Sequence, residues 1–301
     1  MKIVFMGTPD FAIPSIKVLL ENKHEIVTIV TTPDKERGRG QKVTFTPVKE
    51  FAIENNIPLL QPVSMKDEEF IEKLKSLGAE LFIIVAFRIL PKEVYTVPPK
   101  GSFNLHGSLL PKYRGAAPIQ WALINGDKET GVTTFFLQDK VDTGNIIISE
   151  KLPIDDEDNF GTLHDKMSQL GASVVLRTVQ LIEKGDVPVQ KQTDSSATPA
   201  PKITKETARI NWNRSALEIH NLIRGLSPYP AAYFTHNNKI IKVYKSQLSD
   251  KKLKPGEIFQ TKTDAIVGTA EGSLCLLEVQ LEGRKRLSIE EFLRGYSFTQ
   301  A

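Results

Sequence analysis

Two polar residues one position apart, Asn104 and His106, form the part of this sequence best suited to chemistry. In an extended strand the side chains alternate between faces, so these two point the same way and can address one reacting atom. A histidine carries a proton near neutral pH, and the Asn104 carboxamide can donate hydrogen bonds to an oxygen that gains negative charge. Asp142, in the sequence Asp-Thr-Gly, is the candidate carboxylate.

Each of these residue types also has a common structural role. A histidine on a strand is usually half buried and hydrogen-bonded, an asparagine usually lies in a turn or cap, and Asp-Thr-Gly is an ordinary turn sequence. The prediction of a catalytic site therefore rests on the combination of the three residues and not on any one of them.

The elements that must position these residues alternate along the first part of the chain. Short apolar runs predict strands at Lys2–Met6, Glu25–Thr32 and Leu81–Phe87. Intervening stretches predict helices at Phe11–Leu20, Pro47–Asn55 and Thr162–Glu183. This alternation predicts an α/β fold with a doubly wound, mostly parallel sheet. Because Gly7-Thr-Pro-Asp10 lacks the G-x-G-x-x-G spacing, dinucleotide binding is not expected.

The composition changes in the last third of the chain. Residues Gly185–Thr204 are rich in Pro, Ser, Thr and Lys and predict an extended linker. A helix is predicted near Ser215–Gly225. Five short runs then predict a small β-barrel: Ala231–Phe234, Ile240–Tyr244, Glu257–Phe259, Ala265–Val267 and Leu274–Val279. The predicted domains are residues 1–184, a linker at 185–204, and residues 205–301.

Composition excludes several functional classes. The 301 residues are 40% hydrophobic and 25% charged, which is typical of a soluble globular protein. The single cysteine, Cys275, excludes an intramolecular disulfide framework and fits a reducing compartment. The longest apolar run is far shorter than the ~20 residues that a membrane span requires. No Cys/His cluster has metal-ligand spacing, so we expect a cytoplasmic protein without a membrane span or a metal.

Charge is distributed unevenly between the two parts of the chain. From Lys205 to the end there are 15 Lys or Arg against 10 Asp or Glu, a net of +5, whereas residues 1–204 carry 24 against 26, a net of −2. A basic region beside a slightly acidic body suits contact with a nucleic acid, although a solvated basic face has the same composition.

The string NLHGSLLPKYRG, from Asn104 to Gly115, resembles the signature of the folate-dependent formyltransferases. Within that family the chain most resembles the members that formylate methionine carried by an initiator tRNA. Glycinamide ribonucleotide formyltransferases typically have Pro at the position of Gly107 and lack the long carboxyl-terminal region. Sugar-nucleotide formyltransferases can share HGSLLP and an additional carboxyl-terminal domain, but they usually lack GTPDF, here at Gly7–Phe11, and GRGQK, here at Gly38–Lys42.

The resemblance implies a formyl transfer that uses 10-formyltetrahydrofolate as co-substrate and no metal. Asn104 and protonated His106 would hold the oxyanion of a tetrahedral intermediate, and Asp142 would support His106 and help to remove the proton of the amine. No covalent enzyme intermediate is required, and Ser108 is expected to form a turn rather than to act as a nucleophile. The carboxyl-terminal domain is expected to be an oligonucleotide-binding-type (OB-like) barrel.

The resemblance also implies two sets of binding residues. The predicted folate site comprises Ile84, Val85, Ala86, Phe87, Leu90, Ser108, Leu109, Leu110, Pro111 and Asp142. The predicted tRNA contacts are Arg39, Lys42, Lys112 and Arg114. The segment around Arg88 departs from the family pattern, because it is one residue shorter and lacks a glycine.

Three functions remain open at this point. The first is formylation of methionine on initiator tRNA, with tRNA and folate as partners and no obligate protein partner. The second is formylation of an amino-sugar nucleotide by the same three residues. The third is a catalytically idle tRNA-binding protein, which the intact set of Asn104, His106 and Asp142 argues against.

Overall fold

The structure is a computed structural model that describes residues 1–37 and 42–298. The strands in these residues, in chain order, are β1 Lys2–Gly7, β2 Glu25–Val30, β3 Lys35–Arg37, β4 Lys42–Thr44, β5 Leu59–Leu60, β6 Leu81–Val85, β7 Ser102–His106, β8 Arg114–Gly115, β9 Glu129–Phe136, β10 Ile146–Pro153, β11 Pro199–Ala200, β12 Ala232–His236, β13 Lys239–Ser249, β14 Ile258–Gln260, β15 Ala265–Gly268, β16 Ser273–Leu281 and β17 Leu287–Ser288.

The α-helices in the same residues are α1 Ile13–Glu21, α2 Pro47–Glu54, α3 Glu68–Ser76, α4 Lys92–Tyr95, α5 Pro118–Ile124, α6 Phe160–Lys184, α7 Lys205–Ala208, α8 Ala216–Leu226 and α9 Ile289–Leu293. Throughout the described part of the chain, every helix is too short or too polar to cross a lipid bilayer.

The described residues divide into two compact units. The first unit comprises Met1–Gly115, Thr130–Leu152 and His164–Pro199. The second comprises Ala116–Glu129, Pro153–Leu163 and the chain from Ala200 onward. The predicted domain boundaries at 184 and 205 stay a prediction about the functional domains.

The first unit is built on a seven-stranded sheet with the order β10-β9-β7-β6-β1-β2-β5. Neighbouring strands from β7 through to β5 are parallel, and β9 runs antiparallel to β7. All five residues of β6 are buried, as a central parallel strand requires. The prediction of a mostly parallel α/β sheet is confirmed.

Local sequence accounts for the helix starts beside this sheet. The predicted helix Phe11–Leu20 begins as a 3-10 turn at Asp10–Ala12 and continues as α1, where Pro14 lies in the first turn. A proline costs little there because its missing N–H would have no partner in any case. Thr46 caps α2 by accepting a hydrogen bond from the backbone N–H of Lys49.

The second unit is built on a six-stranded antiparallel sheet with the order β12-β13-β16-β15-β14, to which β17 is added beside β16. Breaks in register between β13 and β16 mark bulges, which curl the sheet. All five predicted strands are present, and β17 and α9 were not predicted. A capping box of Ser215 and Glu218 starts α8, which packs its buried face on this sheet.

Candidate active site

Strand β7 carries both Asn104 and His106. Its parallel neighbour β6 places Ile84 beside Asn104, and its antiparallel neighbour β9 places Thr133 opposite His106. Asn104 is half-buried, whereas His106 is only 6% exposed. Because β7 is hydrogen-bonded on both sides, the backbone of these two residues is fixed by the sheet itself.

The two ring nitrogens of His106 have different surroundings. Nε2 lies 2.8 Å from the carbonyl oxygen of Tyr113. A carbonyl can only accept, so Nε2 must carry a hydrogen in this bond. Nδ1 faces the Asp142 carboxylate, with 3.9 Å between Nδ1 and Oδ2. Nδ1 is therefore the nitrogen that is available to gain or release a proton.

Asp142 is held from its carboxylate and from its backbone. Oδ2 accepts a hydrogen bond of 2.9 Å from the backbone N–H of Gly115. The residue has φ of +55°, in the left-handed region, which Asp tolerates better than most residues. Two residues later Gly144 packs so closely that an added Cβ would come within 1.6 Å of the carbonyl oxygen of Phe136. The Asp142-Thr-Gly144 turn therefore has little freedom to move.

The Asn104 carboxamide is available to a ligand. Among the residues that the structure describes, none forms a hydrogen bond with this side chain. Its N–H groups can therefore be directed at an oxygen of a bound molecule. A carboxamide, an imidazole and a carboxylate are groups that can, respectively, donate hydrogen bonds to an oxyanion, carry a proton and accept one.

The segment after β7 forms a tight turn that is held by hydrogen bonds of its own polar atoms. The hydroxyl of buried Ser108 donates to the carbonyl oxygen of Lys112 at 2.6 Å, as expected of a turn-forming residue. The hydroxyl of Thr133 donates to the carbonyl oxygen of Ser108 at 2.7 Å. Leu110 is buried, whereas Leu109 and Pro111 are the partly accessible folate candidates of this turn.

The segment after β6 is shaped by Ala86, which has φ of +49° and ends the strand two residues earlier than predicted. Arg88 donates hydrogen bonds to the carbonyl oxygens of Pro62 and Val63 at 2.7 and 3.0 Å. Burial lowers the pKa of the Arg88 guanidinium. Arg88 thus fixes the shortened loop onto the segment that follows β5. In this loop Ala86 is exposed and Phe87 is partly exposed.

Several predicted folate residues belong to the core rather than to an open surface. Ile84, Val85 and Leu90 are at most 8% exposed. Ile84 and Leu90 pack in one cluster with residues of β1 and α3. These three side chains therefore offer little surface to a ligand.

An open cavity of about 410 Å³ adjoins the Asp142 turn. Its walls come from α4 and from residues 137–143, and they include Lys92, Tyr95, Lys140 and Thr143. The Tyr95 hydroxyl donates to the Asp139 carboxylate at 2.5 Å, and this bond raises the pKa of Tyr95 to about 12. The helix α4 directly follows the predicted folate segment 84–90.

The predicted tRNA contacts differ in their surroundings. Arg39 lies outside the described residues, and only the backbone of Lys42, in β4, is described. Lys112 is exposed. Arg114 is not a free surface cation, because its guanidinium donates to Gln192 Oε1 and to Asp194 Oδ1.

Two family descriptions match the chain. "Formyl transferase" matches residues 1–179, and "Formyl transferase, C-terminal domain" matches residues 202–297. The chain belongs to the formyl transferase family. In the described residues of this family member, no group of three or more His, Cys, Asp or Glu side chains is arranged to hold a metal ion.

Relatives of full length share the name methionyl-tRNA formyltransferase. The protein of that name from Caldanaerobacter subterraneus subsp. tengcongensis is 44% identical over 304 residues, which covers 100% of this chain and 98% of the relative. The one from Clostridioides difficile is 46% identical over 299 residues, covering 98% and 97%. The similarity therefore extends over both family domains.

Solved structures of sugar formyltransferases share the fold. The structure of WlaRD, a sugar 3N-formyl transferase in the presence of dTDP and 5-N-formyl-THF, has a TM-score of 0.69 and 24% identity, covering 95% of this chain and 99% of that one. An N-formyltransferase from Helicobacter canadensis in complex with folinic acid and dTDP-3-aminofucose has a TM-score of 0.70 and 22% identity, covering 95% and 100%. Identities this low support the fold alone.

Three further residues of this formyl transferase contact the candidate site residues and were not predicted. Tyr113 accepts from His106, Gly115 donates to Asp142, and Gln192 donates to the carbonyl oxygens of Asp142 and Gly144. Tyr113 and Gly115 lie inside the matching signature, so their position was a usable signal. Gln192 lies 50 residues after Asp142, in a polar segment interpreted as a linker, and no local pattern distinguishes it.

Proposed function

We propose that this protein transfers the formyl group of 10-formyltetrahydrofolate to the amino group of the methionine on initiator Met-tRNA, for translation initiation. The observation that carries the proposal is the full-length similarity, at 44–46% identity, to proteins named methionyl-tRNA formyltransferase. The arrangement around His106 supports the reaction type independently of that name.

Formyl transfer forms a carbon–nitrogen bond to the amine and breaks the bond between the formyl carbon and the folate nitrogen. The amine loses a proton and the departing nitrogen gains one, while the formyl oxygen becomes negative in the tetrahedral intermediate. The Asn104 N–H groups and Nδ1–H of protonated His106 are the donors for that oxygen. The Asp142 carboxylate stabilises the protonated ring and accepts the proton of the amine.

Folate binding is proposed at the carboxyl end of β6 and β7. Ligands of open α/β sheets bind beyond the carboxyl ends of the strands, and the Ala86-Phe87 segment and the Leu109-Pro111 turn both lie there. The open cavity lined by Lys92, Tyr95 and Thr143 supports a ligand site next to Asp142, since Thr143 directly follows Asp142 in the chain. Related structures with folate derivatives, such as that of WlaRD, support a folate as co-substrate.

The second unit is proposed to bind the tRNA. Its antiparallel curled sheet supports an OB-like barrel, and the net charge of +5 from Lys205 onward supports contact with phosphates. The exposed basic side chains of this region include Lys245, Lys252 and Arg284. Arg39, Lys42 and Lys112 are proposed as further contacts. A cytoplasmic location and action without an obligate protein partner stay predictions.

The proposal is tested by offering the purified protein a formyl donor and two acceptors in parallel. With 10-formyltetrahydrofolate, we expect formylation of charged initiator Met-tRNA and none of an amino-sugar nucleotide. Formylation of the amino-sugar nucleotide alone would replace the proposal by the second function. If neither acceptor were formylated while tRNA bound, the protein would be a tRNA-binding member of the family.

A further inference from the structure

Gln192 is buried, at 7% exposure, in a segment whose neighbouring side chains are mostly exposed. Its Nε2 donates to two backbone carbonyl oxygens, that of Asp142 at 2.9 Å and that of Gly144 at 2.8 Å. Both hydrogens of one amide group are therefore directed at the turn that presents the Asp142 carboxylate.

The orientation of the Gln192 amide is fixed from its other end. Oε1 accepts hydrogen bonds from Arg114 Nε at 3.1 Å and Arg114 Nη2 at 2.8 Å. A guanidinium only donates, so the atom that faces Arg114 must be the amide oxygen and the atom that faces the turn must be the NH₂ group. Arg114 Nη2 also donates to Asp194 Oδ1 at 2.9 Å, which holds the guanidinium in place.

The turn needs such support. Asp142 has a left-handed backbone, which costs roughly 1 kcal/mol or more for a residue other than glycine. In this conformation its carboxylate lies 3.9 Å from His106 Nδ1. Gly115, whose N–H donates to the Asp142 carboxylate, directly follows Arg114 in β8. This short strand therefore supports Asp142 twice, through Gly115 at the carboxylate and through Arg114 and Gln192 at the backbone.

We infer that Gln192, oriented by Arg114, is a positioning residue that holds the Asp142 carboxylate beside His106. The expected change in kcat rests on the proposed function, whereas the expected change in the position of the Asp142 turn does not. It assigns Arg114 a part in shaping the site, where the sequence predicted a tRNA contact. A tRNA contact would act on the KM for tRNA, whereas positioning acts on kcat.

The variant Gln192→Glu tests the inference with the smallest change. Glu keeps the length of the side chain and an oxygen toward Arg114, but it places an oxygen against two carbonyl oxygens in place of the NH₂ group. We expect kcat to fall about 10²-fold, the typical cost of a displacement of about 1 Å at a reacting group. The KM for tRNA and for folate should change by less than about threefold, since neither substrate contact is removed.

Gln190→Glu is the matched control. It makes the same chemical change and adds the same charge two residues earlier, where the side chain is exposed and only the backbone pairs with Ile146. Its kcat should stay within about twofold of the wild type, as for ordinary surface substitutions. If Gln192→Glu does not fold, Gln192→Met removes the same donors without a charge and carries the same expectations.

A second readout requires no activity. In protein labelled with ¹⁵N-glycine, the amide signals of Gly115 and Gly144 should move in Gln192→Glu, while that of Gly185, an exposed glycine away from the turn, should not. Unmoved Gly115 and Gly144 signals would overturn the inference, and so would a kcat equal to that of Gln190→Glu or a loss confined to the KM for tRNA. Failure of the wild-type protein to formylate Met-tRNA would instead count against the proposed function, and the glycine signals would still decide the inference.

Discussion

Each of the two units contains a partly or fully buried histidine on a regular element, and the two differ in what faces the ring. His106 of β7 donates to a carbonyl oxygen and turns Nδ1 toward the Asp142 carboxylate. His220 of α8 lies with Nδ1 3.0 Å from the Ser246 hydroxyl, and Arg224 follows one turn later on the same helix. Burial, and next the charge of Arg224, lower the pKa of His220, and the carboxylates of Glu157 and Asp156 offset this only in part.

The difference shows that burial alone does not prepare a histidine for proton transfer. A carboxylate opposite the free nitrogen stabilises the protonated ring, whereas a guanidinium beside the ring disfavours it. Arg224 itself serves the fold, because it donates to the carbonyl oxygens of Asp155 and Asp158. The first unit thus sets a carboxylate opposite its histidine, as the proposed chemistry requires, whereas the second sets a hydroxyl opposite its histidine.

The largest effect on turnover should come from removing the side chains of His106 and Asn104 in β7. We expect His106→Ala and Asn104→Ala each to lower turnover by about 10²–10³-fold, the usual effect of losing one oxyanion donor. His220→Gln should leave turnover close to the wild type, since His220 faces no carboxylate of the proposed site. The measurement is steady-state formylation of Met-tRNA. Near wild-type turnover in His106→Ala would remove the distinction between the two histidines.

The next effect concerns the carboxylate that faces His106. Asp142→Asn keeps a side-chain oxygen for the Gly115 N–H and a residue type that tolerates a positive φ, but it loses the negative charge. We expect turnover to fall by roughly 10²-fold or more with normal folding, because the acid–base function is lost. A collapse of the thermal unfolding transition, seen by circular dichroism, would instead make Asp142 a structural residue.

A smaller effect is expected on the free energy of unfolding when the Asp142-Thr-Gly144 turn is altered. Gly144→Ala would drive a Cβ into the Phe136 carbonyl oxygen, so we expect destabilisation of at least about 1–3 kcal/mol, together with reduced turnover. Gly295→Ala is the control, since an added Cβ there meets no atom within 4 Å. Thermal unfolding of both variants decides the matter. Equal melting temperatures would show that the turn yields easily and that Asp142 is not tightly held.

The basic segment Gly38–Lys42 provides a contrast to both histidine sites, because we expect it to bind and not to react. Arg39→Ala combined with Lys42→Ala should raise the KM for tRNA and reduce its dependence on salt, as fewer phosphate contacts are made. Stability should change by less than about 0.5 kcal/mol. Kinetics at several salt concentrations give the answer. Unchanged tRNA kinetics would leave this segment as a charged surface.

The smallest effect is the pH dependence that His220 gives to the second unit. Since its pKa is lower in the folded protein than in the unfolded chain, the unfolded chain binds the proton more readily. Stability is therefore fully present above the ordinary histidine pKa, and it is lost as the pH falls through the lowered value. His220→Gln should weaken this acid loss. Chemical unfolding at pH 7 and pH 5 measures it, and identical losses in both proteins would contradict the lowered pKa.

The parts of the fold that follow from local patterns were predictable. The run Leu81–Phe87 predicted β6, because a strand buried on both faces is apolar throughout, and only Ala86 with its positive φ shortened it. The strands of the second unit followed from the same reasoning. Among the elements of the second unit that were not predicted, β17 and α9 are short, and the two buried residues of α9 are separated by charged ones.

The sequence alone determined that strand β7 carries Asn104 and His106 on one face. Asn104 and His106 share a face because of the two-residue period of an extended chain, and that holds wherever the strand is placed. The apolar runs likewise determined a mostly parallel sheet to carry it. The signature around these residues indicated the family before any contact was known.

Only the tertiary structure decided that the Asp142 carboxylate lies opposite the His106 ring. The hydrogen bond from Gly115 spans 27 residues and the bonds from Gln192 span about 50. Such contacts depend on loop closure and on the packing of whole elements, neither of which leaves a periodic trace in the sequence. The contacts of Arg114 were unpredictable for the same reason. Its charge indicated a surface contact, whereas in the structure it donates to Gln192 and Asp194.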